Sequence, residues 1–400
     1  MEPVTHILTG ACLARTGLNR RAAYATLAMA VAAEFPDIDT LWDLRGPVEG
    51  FTHHRGITHT FLALPVEAAV LVAAVYGLHR WRTARAARAE AAHPTDSSHI
   101  RKPLTAAPVR WGLLYGFTLL ALLSHLLLDY TNNYGLRPFY PFNPRWYAAS
   151  IVFILDPWIL ALLVAALAVP LIFKLVSSEI GARRQPFRGR GWAVAALLSI
   201  VGWWTLRAVQ HGKAVDLAMQ QSILQLTPIP VKLEVLCSPN VDCDTPSDVP
   251  PHYLTAQRVL ASPDPISPFH WSVATDFGPV QQLSEIDTRH QSIVPGQNTF
   301  APPPESATLL IAEASPLGRA YLDWSPMPIL SVSQPNNGLE AAASGDPDAA
   351  GLTVVTFRDP RFMGGWMRDN RRSALTATVS LDAKGRVVRQ TLDGRTEPQR

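Results

Sequence analysis

Hydrophobic and polar positions divide this chain near residue 210. Before that point the apolar runs are long and nearly unbroken; beyond it they shorten, alternate, and are interrupted by proline, glycine and asparagine. Four runs approach the ~20 apolar residues that a ~30 Å hydrocarbon core requires, and so predict membrane helices. They are Phe61 to Leu78, Trp111 to Leu128, Ala149 to Phe173 and Trp192 to Leu206. Two shorter runs, Val4 to Leu18 and Ala22 to Phe35, are rich in Ala and Gly, which suits close packing inside a helical bundle better than contact with lipid.

The second half reads differently. Period-two alternation recurs at Val231 to Leu236, His270 to Ala274, Thr308 to Ala312, Thr353 to Phe357, Leu375 to Leu381 and Arg386 to Leu392, the pattern of an antiparallel β domain. Asp382-Ala383-Lys384-Gly385 has the composition of a hairpin turn, and Pro335 to Gly351 that of a flexible loop. The expected architecture is a mainly α polytopic bundle of about six spans, two of them short, over residues 1–210. A C-terminal antiparallel β-rich domain follows over 211–400.

Charge orients the bundle. Arg80, Arg82, Arg85, Arg88, Arg101 and Lys102 crowd one connection; Lys174, Arg183, Arg184, Arg188 and Arg190 crowd another. The opposite connections hold only Arg45, Arg55, Arg137 and Arg145, so the positive-inside rule puts them outside, with both termini and the β domain. Glu2 and His6 sit where a signal peptide carries its positive and apolar regions, so no cleaved leader is expected. A net charge of +3, with no basic-aromatic pattern, gives no reason to expect nucleic acid. Cys12 reads as a small packed hydrophobe; Cys237 and Cys243 could form a local disulfide outside the cell or stay as two thiols.

The first half also holds an unusual set of imidazoles and carboxylates: His6; Glu34, Asp37 and Asp39; His53, His54 and His59; His125 and Asp129. The topology above uses none of them, yet it puts all of them at the outer ends of their helices. Ionisable groups in or beside a membrane are costly unless paired or coordinated, and imidazole with carboxylate suits zinc, manganese or iron. His125 and Asp129, four apart, share a helix face, although a buried histidine bonded to an aspartate one turn away would have the same spacing. Asp37 and Asp39 follow Pro36 and would diverge in an extended loop unless it curls around an ion. His54 and His59 do not share a straight helix face. Here His53 to Gly56 is expected to be a loop bent at Gly56, with His59 starting the next helix.

These pieces resemble the YdjM-like inner-membrane metal-dependent hydrolases. The matching strings are Thr5-His6 with Gly10, Pro36-Asp37-Ile38-Asp39, His54-Arg55-Gly56-Ile57-Thr58-His59-Thr60 and His125-Leu126-Leu127-Leu128-Asp129, with a weaker echo at Ser267-Pro268-Phe269-His270-Trp271. The resemblance implies a bacterial inner-membrane hydrolase with a divalent metal, zinc before manganese. It implies His6, Asp37, Asp39, His54, His59, His125 and Asp129 as ligands, with His53 behind them. Glu34 is then a candidate general base, or else a charge snorkelling at a helix end; Arg55 and Arg137 are candidate clamps for an anionic group, or else interfacial anchors. A site at the outer face favours an amphiphile, a lipid or other (phospho)ester, with the bilayer as the protein's surroundings. The competing reading is a non-catalytic membrane protein whose metal or polar cluster holds helix ends together. A transporter fits less well, since the charged groups avoid the midplane.

Overall fold

A computed structural model describes residues 1–92, 105–179, 189–224, 253–333, 352–364 and 374–397. Cys237, Cys243, His252, the 231–236 run and the 335–351 loop lie outside the described residues.

The N-terminal half is helical: α1 Pro3–Arg15, α2 Ala25–Ala32, α3 Pro47–His53, α4 Leu64–Ala92, α5 Trp111–Thr131, α6 Pro157–Glu179 and α7 Gly189–Met219. Of these, α5 and α7 are long and apolar enough to cross a membrane. The α3 region joined to α4 adds a third candidate, bent by 86°. The apolar stretch Pro157–Phe173 of α6 is shorter. At 13 and 8 residues, α1 and α2 fall below the ~20 that a full crossing needs. They pack instead as the Ala- and Gly-rich composition suggests: a Cβ on Gly10 of α1 would collide with the Met29 carbonyl oxygen of α2. Cys12, fully buried, fills space beside Ala193 of α7.

The C-terminal half is β-rich. Strands β1 Ser222–Leu224 and β2 Tyr253–Thr255 pair with each other. Strands β3 Arg258–Pro263, β4 His270–Asp276, β5 Gln281–Asp287 and β6 Ser292–Phe300 form a four-stranded antiparallel meander. After α8 Ala307–Ala314 and α9 Pro316–Trp324, a five-stranded antiparallel sheet comprises β7 Ile329–Ser333, β8 Thr353–Arg358, β9 Ala377–Leu381, β10 Val387–Leu392 and β11 Arg395–Thr396. Strands β9 and β10 join through the Asp382–Gly385 turn, with Gly385 at φ 75°. One strand expectation fails: Thr308 to Ala312 lies in α8. Ser306 caps that helix by accepting from the Leu309 N–H at 3.2 Å, and Leu309 and Ala312, three apart, bury one helical face.

Both sheets rest on the helical half. The last turns of α7 bury Ala214 and Ala218 against Ala261, Trp271, Val273 and Ile286 of the four-stranded sheet, so α7 runs through the expected boundary at residue 210. The five-stranded sheet and α9 share a core with Phe51 of α3 and Tyr134, just past α5. The β-rich half is thereby fixed against the chain that follows α5.

Candidate metal centre

Four segments distant in sequence meet at the C-terminal end of α5. His125 and Asp129 lie on that helix, one turn apart and fully buried. His125 Nδ1 is 2.7 Å from the Ala33 carbonyl oxygen. A carbonyl only accepts, so Nδ1 carries the proton and the Nε2 lone pair faces the cluster.

Asp37 and Asp39 come from a 3-10 segment, Phe35–Arg45, rather than from an extended loop. Tight winding after Pro36 keeps both carboxyls on the cluster: Asp37 Oδ1 lies 3.2 Å from His59 Nε2, and Asp39 Oδ1 lies 3.3 Å from His54 Nδ1. Burial alone would raise both acids, but hydrogen bonding outweighs it. His59 holds Asp37 below the usual carboxylate range; His54 and His59 do the same for Asp39.

The His53–His59 stretch also differs from expectation. His53 ends α3, the backbone reverses at Arg55 (φ 51°), and His59 lies in a single 3-10 turn, Ile57–His59, ahead of α4. Gly56 is needed there because a Cβ would approach the His53 carbonyl oxygen to 2.7 Å. The left-handed turn is held from both ends. Arg55 N–H donates to Asp39 Oδ2 at 2.7 Å, and the guanidinium donates to Gly135 O (2.7 Å), Asp129 Oδ1 (2.9 Å) and Asn132 Oδ1 (3.3 Å). His59 Nδ1 sits 3.2 Å from Asp39 Oδ2 and its Nε2 the same distance from Asp37 Oδ1, so the imidazole is held between two carboxylates.

Two imidazole nitrogens and two carboxylate oxygens therefore converge, each able to serve as a metal ligand. His59 Nε2 and His125 Nε2 are 3.1 Å apart. Asp129 Oδ2 is 3.5 Å from the first and 3.4 Å from the second; Asp37 Oδ1 is 3.2 Å and 3.7 Å from them. Two carboxylates at these separations need positive charge between them, from a protonated imidazole or a metal ion, and Asp129 Oδ2 has no hydrogen-bond partner among the described residues. Tetrahedral zinc with bonds of about 2.0–2.2 Å puts neighbouring donors about 3.3–3.6 Å apart, close to the distances here. The donor set fits a divalent ion.

Of the seven expected ligands, four form this set: Asp37, His59, His125 and Asp129. Asp39 and His54 group with Asp37 beside it. His6 is buried behind, its ring stacked on His125 at 3.9 Å, with Nε2 3.4 Å from Asp129 Oδ1. The Met1 amino group contacts Asp129 and lies 2.9 Å from His6 Nε2. Glu34 keeps a buried oxygen without a hydrogen-bond partner; burial, reinforced by Asp37, pushes its carboxyl up to about 8.

Two expected residues lie elsewhere. His53 stacks on Trp42 at 4.1 Å and pairs with Glu49. Arg137 reaches Asp323 and the Thr52 carbonyl and stacks over Trp146, lining a 370 Å³ cavity between α3 and α9. At the surface, His270 and His290 both pair with Asp287, while Trp271 is part of the core under α7.

Other contributors went unread in the sequence. Asn132 accepts from Arg55 and from the Tyr134 N–H (2.8 Å). Glu67 on α4 is buried in the electrostatic field of His59 and Asp39. A carboxylate inside the apolar Phe61 to Leu78 run was a signal in plain view. Arg361, from the β-rich half, had none: it donates to the Asn133 carbonyl at 2.9 Å and pairs with Asp359.

Every segment at this centre falls within residues 1–214, the stretch that matches the family of YdjM inner membrane proteins. The chain belongs to that family. The match ends before Ser267–Trp271, so the weak echo there lies outside it. Among curated proteins, YfhP of Bacillus subtilis (strain 168), itself uncharacterised, is 25% identical over 177 residues. That alignment covers 42% of this chain and 46% of YfhP, so the chain spans about half the length of that relative. No solved structure matches the chain.

Proposed function

We propose that this membrane protein is a metal-dependent hydrolase acting on a lipid or other amphiphilic (phospho)ester at the outer membrane face. The observation that carries the reading is the convergence of His59 Nε2, His125 Nε2, Asp37 and Asp129 within 4.8 Å of one another. Two imidazoles with two carboxylates favour zinc over manganese. A divalent ion at this cluster, with a coordination position left open, would supply Lewis-acid polarisation and an acidified water.

The chain's own residues take the remaining roles. Glu34, with an unpartnered buried oxygen and a proton affinity near neutrality, receives the proton of the attacking water. Arg55 orients Asp129 through Nη2 and keeps its Nε unpartnered. His6 and Asp39 support His125 and His59 from behind. The bilayer arrangement we favour has six spans, with α1 and α2 as short inner elements, both termini outside, and the β-rich half over the site. It rests on the basic residues Arg80, Arg82, Arg85 and Arg88 along one end of α4.

A second reading has its own support. Four protein donors around one ion are the arrangement of structural rather than catalytic zinc. In that case the ion holds α5 to the Phe35–Arg45 and Ile57–His59 segments without turnover.

The test is to purify the protein in detergent, measure bound metal, and assay phosphoester and lipid hydrolysis for wild type and His59→Ala. Metal in the wild type, with turnover lost in the variant, supports the hydrolase. Metal without turnover on any substrate, coupled to loss of thermal stability in His59→Ala, favours the structural role. Well-folded wild-type protein that binds no metal removes both.

A further inference from the structure

The four-donor position is closed. His59, His125 and Asp129 are fully buried and Asp37 is 13% exposed, and four protein donors fill a tetrahedral shell. Hydrolytic metal sites keep a coordination position open. The structure holds a second grouping that does. Asp37, Asp39 and His54 offer ligand atoms within 4.8 Å of one another, and His54 is 28% exposed. The Asp39 Oδ1 to His54 Nδ1 distance, 3.3 Å, is that of a hydrogen bond and also about the edge of a coordination shell, so an ion here would take the place of the His54 proton.

Asp37 belongs to both groupings, and a carboxylate has two oxygens to share. A buried polar atom without a partner lies within the electrostatic reach of Asp39. Glu67 is 93% buried in the field of Asp39 and His59, and its Oε2 has no hydrogen-bond partner. A buried carboxylate without a donor or a cation is costly.

From these observations we infer a dinuclear centre. One divalent ion sits in the closed position between His59, His125, Asp129 and Asp37; a second, bridged to it by Asp37, sits at the half-open Asp37–Asp39–His54 position. The inner ion fixes the helix ends, and the outer one meets the substrate. Paired ions suit displacement at a phosphoester, where both the attacking and the leaving oxygen need charge stabilisation. This inference rests on the hydrolase reading and adds a second ion to it.

The experiment uses the full chain in detergent, stripped with a chelator and reloaded with Mn²⁺ alone. Metal is counted by mass spectrometry and the spin state read by electron paramagnetic resonance. Wild type is expected to hold two ions per chain with an exchange-coupled spectrum. His54→Ala, altered at a partly exposed position, is expected to hold one ion with the spectrum of an isolated Mn²⁺ and to lose phosphoester turnover. A single ion in wild type, unchanged by His54→Ala, overturns the dinuclear centre while leaving the metal-dependent reading intact. Two ions without exchange coupling overturn the sharing of Asp37. Folded wild type that takes up no ion defeats both readings. The wild-type count and spectrum decide the matter even if the variant misfolds.

Discussion

Arg361 donates from Nη1 to the carbonyl of Asn133 at 2.9 Å, joining residues 228 positions apart. The same guanidinium grips Asp359 at two points, both at 2.8 Å, and stacks over Trp324, whose indole donates to the Tyr134 carbonyl. Asn133 and Tyr134 follow Asn132, which accepts from Arg55, and Arg55 in turn holds Asp129. The β-rich half thus pins the turn that follows the candidate metal cluster on α5.

Arg361→Ala leaves Asp359 buried and unpaired, and breaking such a pair costs about 3–5 kcal/mol. A drop of several degrees in the thermal midpoint is expected in detergent, together with weaker metal binding. Arg361→Lys should recover only part of both, since an ammonium cannot reproduce the two-point grip. An unchanged midpoint in the alanine variant would mean that the two halves are not coupled here.

His125→Ala removes a converging nitrogen and leaves the Ala33 carbonyl without its donor. Metal affinity should fall by more than the roughly 100-fold seen when only a supporting residue of a metal site is lost. Isothermal titration with Zn²⁺ measures this directly. Affinity within a few-fold of wild type would take His125 out of the centre.

Glu34→Gln keeps the shape of the side chain but cannot accept the proton. Metal content should be unchanged while kcat falls by about 10²–10⁴-fold. The wild-type rate should rise with pH, because the base works only when ionised and the carboxyl is pushed up to about 8. A bound dication favours the carboxylate, so the limb of the profile in loaded protein lies below that value. A glutamine variant with the same profile would assign the limb to another group.

Gly10→Val forces a side chain into the Met29 carbonyl and the Ala33 Cβ. Overpacking of this kind costs about 1–3 kcal/mol, and here it also displaces Ala33, which orients His125. Lower thermal stability and reduced Zn²⁺ affinity should appear together. Loss of stability with unaltered affinity would show that the α1–α2 crossing does not transmit to the site.

Much of the site was readable from residue type and location. Imidazoles and carboxylates at the ends of apolar runs have few structural uses, so His6, Asp37, Asp39, His54, His59, His125 and Asp129 stood out together before any fold was known. What spacing could not supply was local backbone. The 3-10 winding of Phe35–Arg45 depends on both aspartates finding partners from the His54–His59 segment. The left-handed turn at Arg55, rather than at Gly56, depends on Asp39 and Gly135 accepting from it. Thr308 to Ala312 alternates like a strand, yet a serine cap and one buried face make it a helix.

The sequence by itself determined that this chain divides into an apolar helical half and a β-rich half, and which side chains could meet a metal. Hydrophobic periodicity and the cost of charge near lipid are local properties, legible one segment at a time. Only the tertiary structure decided which nitrogens face inward, that four of the candidate ligands group together while Asp39 and His54 lie to one side, and that Arg361 reaches the site at all. Those facts depend on distances between residues remote in sequence, and no spacing along a chain encodes them.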